Sequence, residues 1–265
     1  MWASPSIPPA EPWLSVITIS DGDPLDLQAT ADSIGRALPD TVEWLVQILA
    51  GPAARNAADI CAGHTGLVRI EADDGPYDAM NRATSRAAGR YILYLNAGDR
   101  LADPALLTAP WPACHPDPFT QVHPAVVMGG AGDRVAGRWR FKRPRSRRWL
   151  FWGMPTHHQA ILFSRAAIGE KPYNTHYRIA GDYDLLCRLA ASGAQFNVTD
   201  MNVCLFEGGG LSSIARKRAR AEQRHIREVC FRYSDLTQRI ITVAQCVVAW
   251  TRDALPAVYA VLRYR

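Results

Sequence analysis

The sequence lacks any apolar run approaching the ~20 residues that a bilayer-spanning helix needs, so none of its 265 residues is expected to cross a membrane. Paired cysteines are also missing. Cys61, Cys114, Cys187, Cys204, Cys230 and Cys246 are scattered, with no C-x-x-C pair. Cys61 with His64, or Cys114 with His115, has no matching partners for a zinc site. A reduced, cytoplasmic setting is therefore expected. The opening MWASPSIPPAEPW has neither a basic stretch nor an apolar core, which argues against a signal peptide. Residues 1–12 read as a flexible, Pro-rich arm.

Hydrophobic residues make up 48% of the chain, enough for a sizeable core. The net charge of +5 is unevenly spread, because Leu211 to Arg265 holds 11 Lys and Arg against 4 Asp and Glu. A mildly acidic body with a basic tail suggests that one end meets an anionic surface.

Leu14 to Ser20 (LSVITIS) is rich in β-branched residues and reads as a first strand. Asp23 then caps a helix with Pro24 at its first position, running to about Leu38. Glu43 to Leu49 follows as a second strand, Arg55 to Cys61 as a short helix and Leu67 to Ile70 as a third strand. Strand, helix and strand with short connections imply parallel βαβ pairing. The expected fold is α/β: a mostly parallel central sheet flanked by helices, Rossmann-like, with a basic helical tail.

Residues 70 to 100, IEADDGPYDAMNRATSRAAGRYILYLNAGDR, organise the rest. Asp73 to Pro76 form a turn, Tyr77 to Ala88 a helix, and Gly89 its expected C-cap. Tyr91 to Leu95 is nearly all apolar, as a strand buried on both faces should be. The chain then turns polar at Asn96, Ala97, Gly98 and Asp99. Ligands gather beyond the carboxyl ends of strands in open α/β sheets. Asp99 there would have a carboxylate free to hold a divalent metal, Mg or Mn. The plain alternative is a Gly98-Asp99 turn.

This stretch resembles the core signature of the family 2 glycosyltransferases, of the nucleotide-binding A-type fold. The branch most similar to it is that of bacterial exopolysaccharide and colanic-acid-like gene clusters. Two later stretches fit in order: GMPTHHQAILFSR (153–165) and YRIAGDYDLLCRLA (177–190). The resemblance spans roughly residues 13 to 213, the expected catalytic domain. It implies that Asp73 helps hold the nucleotide and that Asp78, Asn81 and Arg82 border the diphosphate. Asn96 and Gly98 join this donor side. Arg82 has the guanidinium that pairs well with phosphate oxygens, although a solvated helix face would also explain it. His158 and Gln159 would meet the acceptor sugar or the diphosphate, or else hold the sheet to a loop. Asp182 matches the family's general base; read plainly, it is an N-cap and Asp184 a first-turn charge. The loop at 206–213, FEGGGLSS, resembles one that covers the donor.

Two family features are absent. After the second strand the chain reads Ile48-Leu49-Ala50-Gly51-Pro52, where the family has an Asp-Gly-Gly-Ser-like run. The first strand ends Ile19-Ser20-Asp21 in place of a Thr-Tyr-Asn-like run. Both departures fall where the nucleotide base would be read.

Residues 133 to 149 hold eight Lys and Arg interleaved with Trp139, Phe141 and Trp149. Basic grooves with aromatics suit single-stranded nucleic acid, but no RNA-binding motif accompanies them. A loop facing a pyrophosphate-linked acceptor or anionic lipid fits as well, as does a solvated loop. Residues 214–265 read as a basic helix followed by an apolar one near Ile240 to Trp250. The second would lie on an anionic membrane, or pack on the body or on a second subunit.

The expected activity is inverting, metal-dependent transfer of a sugar to a hydroxyl of a lipid-linked glycan in cell-surface polysaccharide synthesis. The donor would be a nucleotide diphosphate sugar, a UDP-sugar first among them. The protein would be cytoplasmic, or peripheral on the inner face of the plasma membrane. The alternative is a catalytically weak protein of the same fold that docks on membrane or assembly partners.

Overall fold

The computed structural model describes residues 11–64, 66–135, 137–207 and 215–255, together with 258, 259 and 264. The expected arm up to residue 10, the Gly-rich stretch 208–213 and the expected 213/214 boundary lie outside them. β1 (Leu14–Ser20) leads to α1 (Pro24–Ile34). The Asp23 carboxylate accepts hydrogen bonds from the Leu25 and Asp26 amides at 2.8 and 3.3 Å, satisfying N–H groups that a helix start leaves open. The helix stops at Gly35, four residues before Pro39 and short of the expected Leu38. β2 (Val42–Leu49), α2 (Ala54–Ala62) and β3 (Leu67–Glu71) follow. Next come α3 (Pro76–Thr84) and β4 (Tyr91–Tyr94).

α3 ends at Thr84, so Gly89 is not its C-cap. A Cβ at Gly89 would lie 2.5 Å from the Ser15 nitrogen, and its N–H donates to Ser15 Oγ at 2.9 Å. Gly89 stands there because the chain enters β4 pressed against β1.

β1 to β4 form a parallel sheet in the order 3-2-1-4. Leu14 pairs with Val42 on one side and Tyr91 on the other. Leu14, Val16, Trp44, Val46, Tyr91 and Leu93 pack on the α1 and α2 side. Ile17, Leu45, Ile92 and Tyr94 pack on the α3 side. Apolar layers on both faces account for the unbroken hydrophobic run of β4.

The remaining strands are β5 (Arg100–Leu101), β6 (Val126–Val135), β7 (Arg138–Lys142), β8 (Ile161–Ser164) and β9 (Phe196–Phe206). They extend the sheet past β4 in the order 8-6-9-5, with β7 on β6, giving nine strands among the described residues. β8 is antiparallel to both β4 and β6, and β9 is parallel to β6. The basic stretch expected as a loop is largely the β6–β7 hairpin, in which Arg140 pairs with Asp133.

α4 (Arg165–Ile168) and α5 (Gly181–Ala191) complete the body. In the tail, α6 (Arg216–Phe231) packs on α5 and buries Ile226 and Arg227. α7 (Asp235–Ala254) buries Gln238 and Ile241 and leaves Leu236, Ile240, Val243, Val247 and Trp250 exposed.

Candidate active site

β4 ends where the sheet changes from parallel to antiparallel neighbours, and this geometry assembles the site. The chain beyond β4 is pinned to α1. Gly98 N–H donates to Asp26 O and Thr30 Oγ1, both at 3.0 Å, and Thr30 Oγ1–H donates to Asp99 O at 2.7 Å. Because β8 runs antiparallel to β4, residues just before β8 lie beside residues just after β4. A short 3₁₀ turn, His158–Ala160, occupies that position. Gln159 Nε2 donates to Asp99 Oδ2 at 2.7 Å, and His158 Nε2 lies 3.3 Å from Asn96 Nδ2. The end of β9 also returns here, with Glu207 N–H reaching Asp99 Oδ1 at 3.3 Å.

A cavity of 680 Å³ opens over this junction. Asp73, Asn96, Gly98, Asp99, His158, Gln159 and Asp182 all line it. Asp78, Asn81 and Arg82 line a separate depression. Asn81 is buried and spends both ends of its amide on Tyr173, donating to its carbonyl and accepting its N–H at 2.9 Å each. Arg82 pairs with Asp78 at 2.8 Å and with Glu71 at 3.8 Å. The diphosphate-bordering residues expected on α3 thus face away from the cavity, while its first turn, with Pro76 and Tyr77, forms part of the wall.

Asp99 is only 5% exposed. The sequence led to the expectation of a free carboxylate; it is instead held by Gln159 and the Glu207 amide. Burial pushes its pKa up to about 7 despite these two hydrogen bonds, and the carboxylates of Asp26 and Glu207 add to the rise. Asp26 is itself raised, first by burial and then by Asp23, Asp21 and Glu207. Asp73 is raised by burial too, while accepting the Gly75 N–H at 2.9 Å.

Among the described residues no three His, Cys, Asp or Glu side chains form a ready metal cage. A metal that bridges substrate phosphates needs only one or two protein carboxylates. Asp99 beside Asp26 meets that need with hard oxygen donors suited to Mg or Mn. The buried Asn96 Oδ1 and Gln159 Oε1, without partners among the described residues, add unspent acceptors at the same wall.

Asp182 sits in the first turn of α5. It is not the N-cap, which is Ala180. Its Oδ1 accepts Tyr183 N–H at 2.8 Å and lies 3.4 Å from the Tyr77 hydroxyl. Its Oδ2 lies 3.7 Å from His158 Nδ1. Burial raises its pKa to about 6. The same enclosure pushes His158 down to about 3, helped by His157, so its imidazole is neutral.

Five further residues contribute that were not singled out in the sequence. His157 lines the cavity, bonded to Asp133 at 2.8 Å and stacked on Phe206 at 4.3 Å. Asp26, in the first turn of α1, also lines it, and its sequence carried no distinguishing signal. Arg178 brings a guanidinium to the wall, and its place in the YRIAGDYD stretch was the available signal. Ala219 and Gln223, from the tail helix α6, close one side.

A curled α/β sheet with carboxylates beyond its strand ends defines an A-type glycosyltransferase fold, and the chain belongs to the glycosyltransferases. A PGL/p-HBAD biosynthesis glycosyltransferase of Mycobacterium bovis is 31% identical over 193 residues, 70% of this chain and 72% of that protein. An uncharacterized glycosyltransferase of Mycobacterium tuberculosis is 27% identical over 210 residues, 76% and 78% of the two chains. The fold is similar to that of S. aureus TarS in complex with UDP-GlcNAc (TM-score 0.59, 14% identity, covering 90% of this chain and 72% of that one). It is also similar to the mannosyltransferase PcManGT from Pyrobaculum calidifontis with GDP-Man and Mn²⁺ (TM-score 0.59, 16% identity, 95% and 80%). No protein-family profile matches the chain.

Proposed function

We propose that the protein is an inverting, family 2 type glycosyltransferase. It moves a sugar from a nucleotide diphosphate sugar to a hydroxyl of a lipid-linked glycan. One observation carries the reading: Asp99 and Asp182 face a single cavity large enough for a nucleotide sugar, and each has a pKa raised by burial.

Asp182 takes the proton from the acceptor hydroxyl as that oxygen attacks the anomeric carbon. The bond from that carbon to the donor phosphate breaks on the opposite face, and the nucleoside diphosphate leaves with the electron pair. A free Asp, with a pKa near ~3.9, is a weak base. A carboxylate raised to about 6 accepts the proton more readily and is still ionised at neutral pH. Neutral His158 adds no positive charge that would lower it again. Asp99, with Asp26 beside it, would hold Mg or Mn, which supplies positive charge to neutralise the departing diphosphate. Gln159 fixes the orientation of Asp99. Arg178 is the cationic partner available for phosphate oxygens, and Asp73 supports the nucleotide side. The donors bound in the two similar structures, UDP-GlcNAc and GDP-Man, make a UDP-sugar the first to try and a GDP-sugar the second.

The test is release of UDP or GDP by purified protein from UDP-glucose, UDP-GlcNAc and GDP-mannose with Mn²⁺. Release from one donor, increased by an acceptor alcohol, is expected. No release from any donor by folded protein would contradict the reading.

Peripheral attachment to an anionic membrane is part of the proposal. Its support is the exposed row Leu236, Ile240, Val243, Val247 and Trp250 on α7, at spacings of one helix face. Gln245 on the same helix donates to Trp152 O at 2.6 Å. That contact sets α7 next to the segment carrying exposed Trp149 and Phe151, with Arg145 4.3 Å above the Trp149 ring. Among the described residues no helix is long and apolar enough to cross a membrane. Val247→Asp should weaken co-sedimentation with phosphatidylglycerol vesicles severalfold. Equal sedimentation of variant and wild type would remove α7 from the contact.

A further inference from the structure

The basic tail carries one acid that points inward. Glu222, on α6, accepts three successive backbone N–H groups from the segment that precedes α5. Arg178 N–H reaches its Oε1 at 3.1 Å, and those of Ile179 and Ala180 reach its Oε2 at 2.9 Å each. Arg218, one turn back on α6, donates to Oε1 at 2.9 Å and steadies the carboxylate. From the other side, the Tyr77 hydroxyl donates to the Ile179 carbonyl at 2.7 Å. Gly181 leaves no slack, since a Cβ there would lie 2.8 Å from the Tyr77 ring. Residues 178–181 are thus clamped between a tyrosine of the body and a glutamate of the tail. Asp182 is the next residue, and Arg178 is the first of the clamped run.

A carboxylate that accepts several backbone N–H groups at a helix start fixes the position of the peptide and favours its own charged form. The Glu222 pKa is indeed lowered by Arg218 and these three amides, against the effect of burial. The same helix places Ala219 and Gln223 in the cavity wall and buries Ile226 in the core. We propose that Glu222 is the positioning residue for Asp182, so that the C-terminal helix pair is a structural half of the active site. This rests on the sugar-transfer reading above. Glu222 touches neither reacting partner. It acts by setting where the Asp182 and Arg178 side chains begin, and links the tail helices to the proton acceptor.

The experiment compares wild type, Glu222→Gln, Glu222→Asp and, as a control on the exposed face of α6, Glu228→Gln. Hydrogen–deuterium exchange is read on residues 178–183, and nucleoside diphosphate release is measured with the UDP- and GDP-sugar panel. Loss of hydrogen bonds to a charged acceptor should speed exchange of this segment about 10- to 100-fold in Glu222→Gln. Misplacing the base should lower kcat by up to about 100-fold, with KM within about threefold. Glu222→Asp should recover part of both, and Glu228→Gln should match wild type. Unchanged exchange in Glu222→Gln overturns the proposal, as does faster exchange with full kcat. If Glu222→Gln also loosens β1 to β4, the decision passes to Glu222→Asp by the same criteria. If wild type releases nucleotide from no donor, the sugar-transfer reading fails. Exchange of 178–183 together with the NMR titration of the Asp182 carboxyl then decides whether Glu222 positions that residue, and wild-type behaviour of both in Glu222→Gln overturns it.

Discussion

Asp99 and Asp182 line one cavity, yet their surroundings differ in kind. Around Asp99 the charged neighbours are acids, Asp26 and Glu207, and the hydrogen bonds come from an amide side chain and a backbone N–H. Around Asp182 the neighbours within reach are Tyr77 and a neutral His158, with burial the main influence and the charge of Glu222 a lesser one. Clustered carboxylates raise one another's pKa and favour whatever cation relieves them, whereas a secluded carboxylate whose nearest side chains are neutral is raised mainly by burial. The two regions therefore divide the chemistry: the end of β4 is suited to a metal and its phosphates, and the start of α5 to a proton.

The largest effect that would sharpen this contrast is on turnover. Asp182→Asn keeps size and removes the proposed proton acceptor, so kcat should fall about 100- to 10,000-fold in a nucleotide-release assay. The affinity for nucleotide with metal should stay within about twofold. Residual turnover above a tenth of wild type would mean that another group takes the proton.

A smaller effect separates the two carboxylates by pH. A group with a raised pKa is protonated below that value, so its charged form is lost as pH falls. Mn²⁺ affinity should drop about tenfold per unit below pH 7 as Asp99 takes up a proton. With metal saturating, kcat should hold down to about pH 6 and fall below it with Asp182. Coincident midpoints for metal binding and kcat would dissolve the division.

Legibility in the sequence follows the same regional line. β1, β2 and β4 were readable because they are largely buried and rich in β-branched and apolar residues. The start of α1 was readable because Asp23 and Pro24 act locally, within one turn. Asp99 was singled out by its setting after a strand and Asp182 through the family resemblance; both line the one cavity. Most of what was missed was non-local. Gly89 read as a helix cap because nothing nearby discloses that β1 passes 2.5 Å from its missing Cβ. Asn81 and Arg82 looked like ligand groups, while Tyr173 and Asp78 engage them. In the β6–β7 hairpin, Arg138, Arg140 and Lys142 do alternate with Trp139 and Phe141, a period of two that the density of charge disguised. Glu222 gave no sign at all, since its partners lie some forty residues earlier in the chain.

The most direct test is calorimetric titration with UDP and with GDP, with and without Mn²⁺, of wild type, Asp99→Ala and Asp182→Asn. The account predicts metal-dependent binding of one nucleotide by wild type, its loss in Asp99→Ala and its retention in Asp182→Asn. Equal, metal-dependent binding by all three would contradict the assignment of the metal to Asp99.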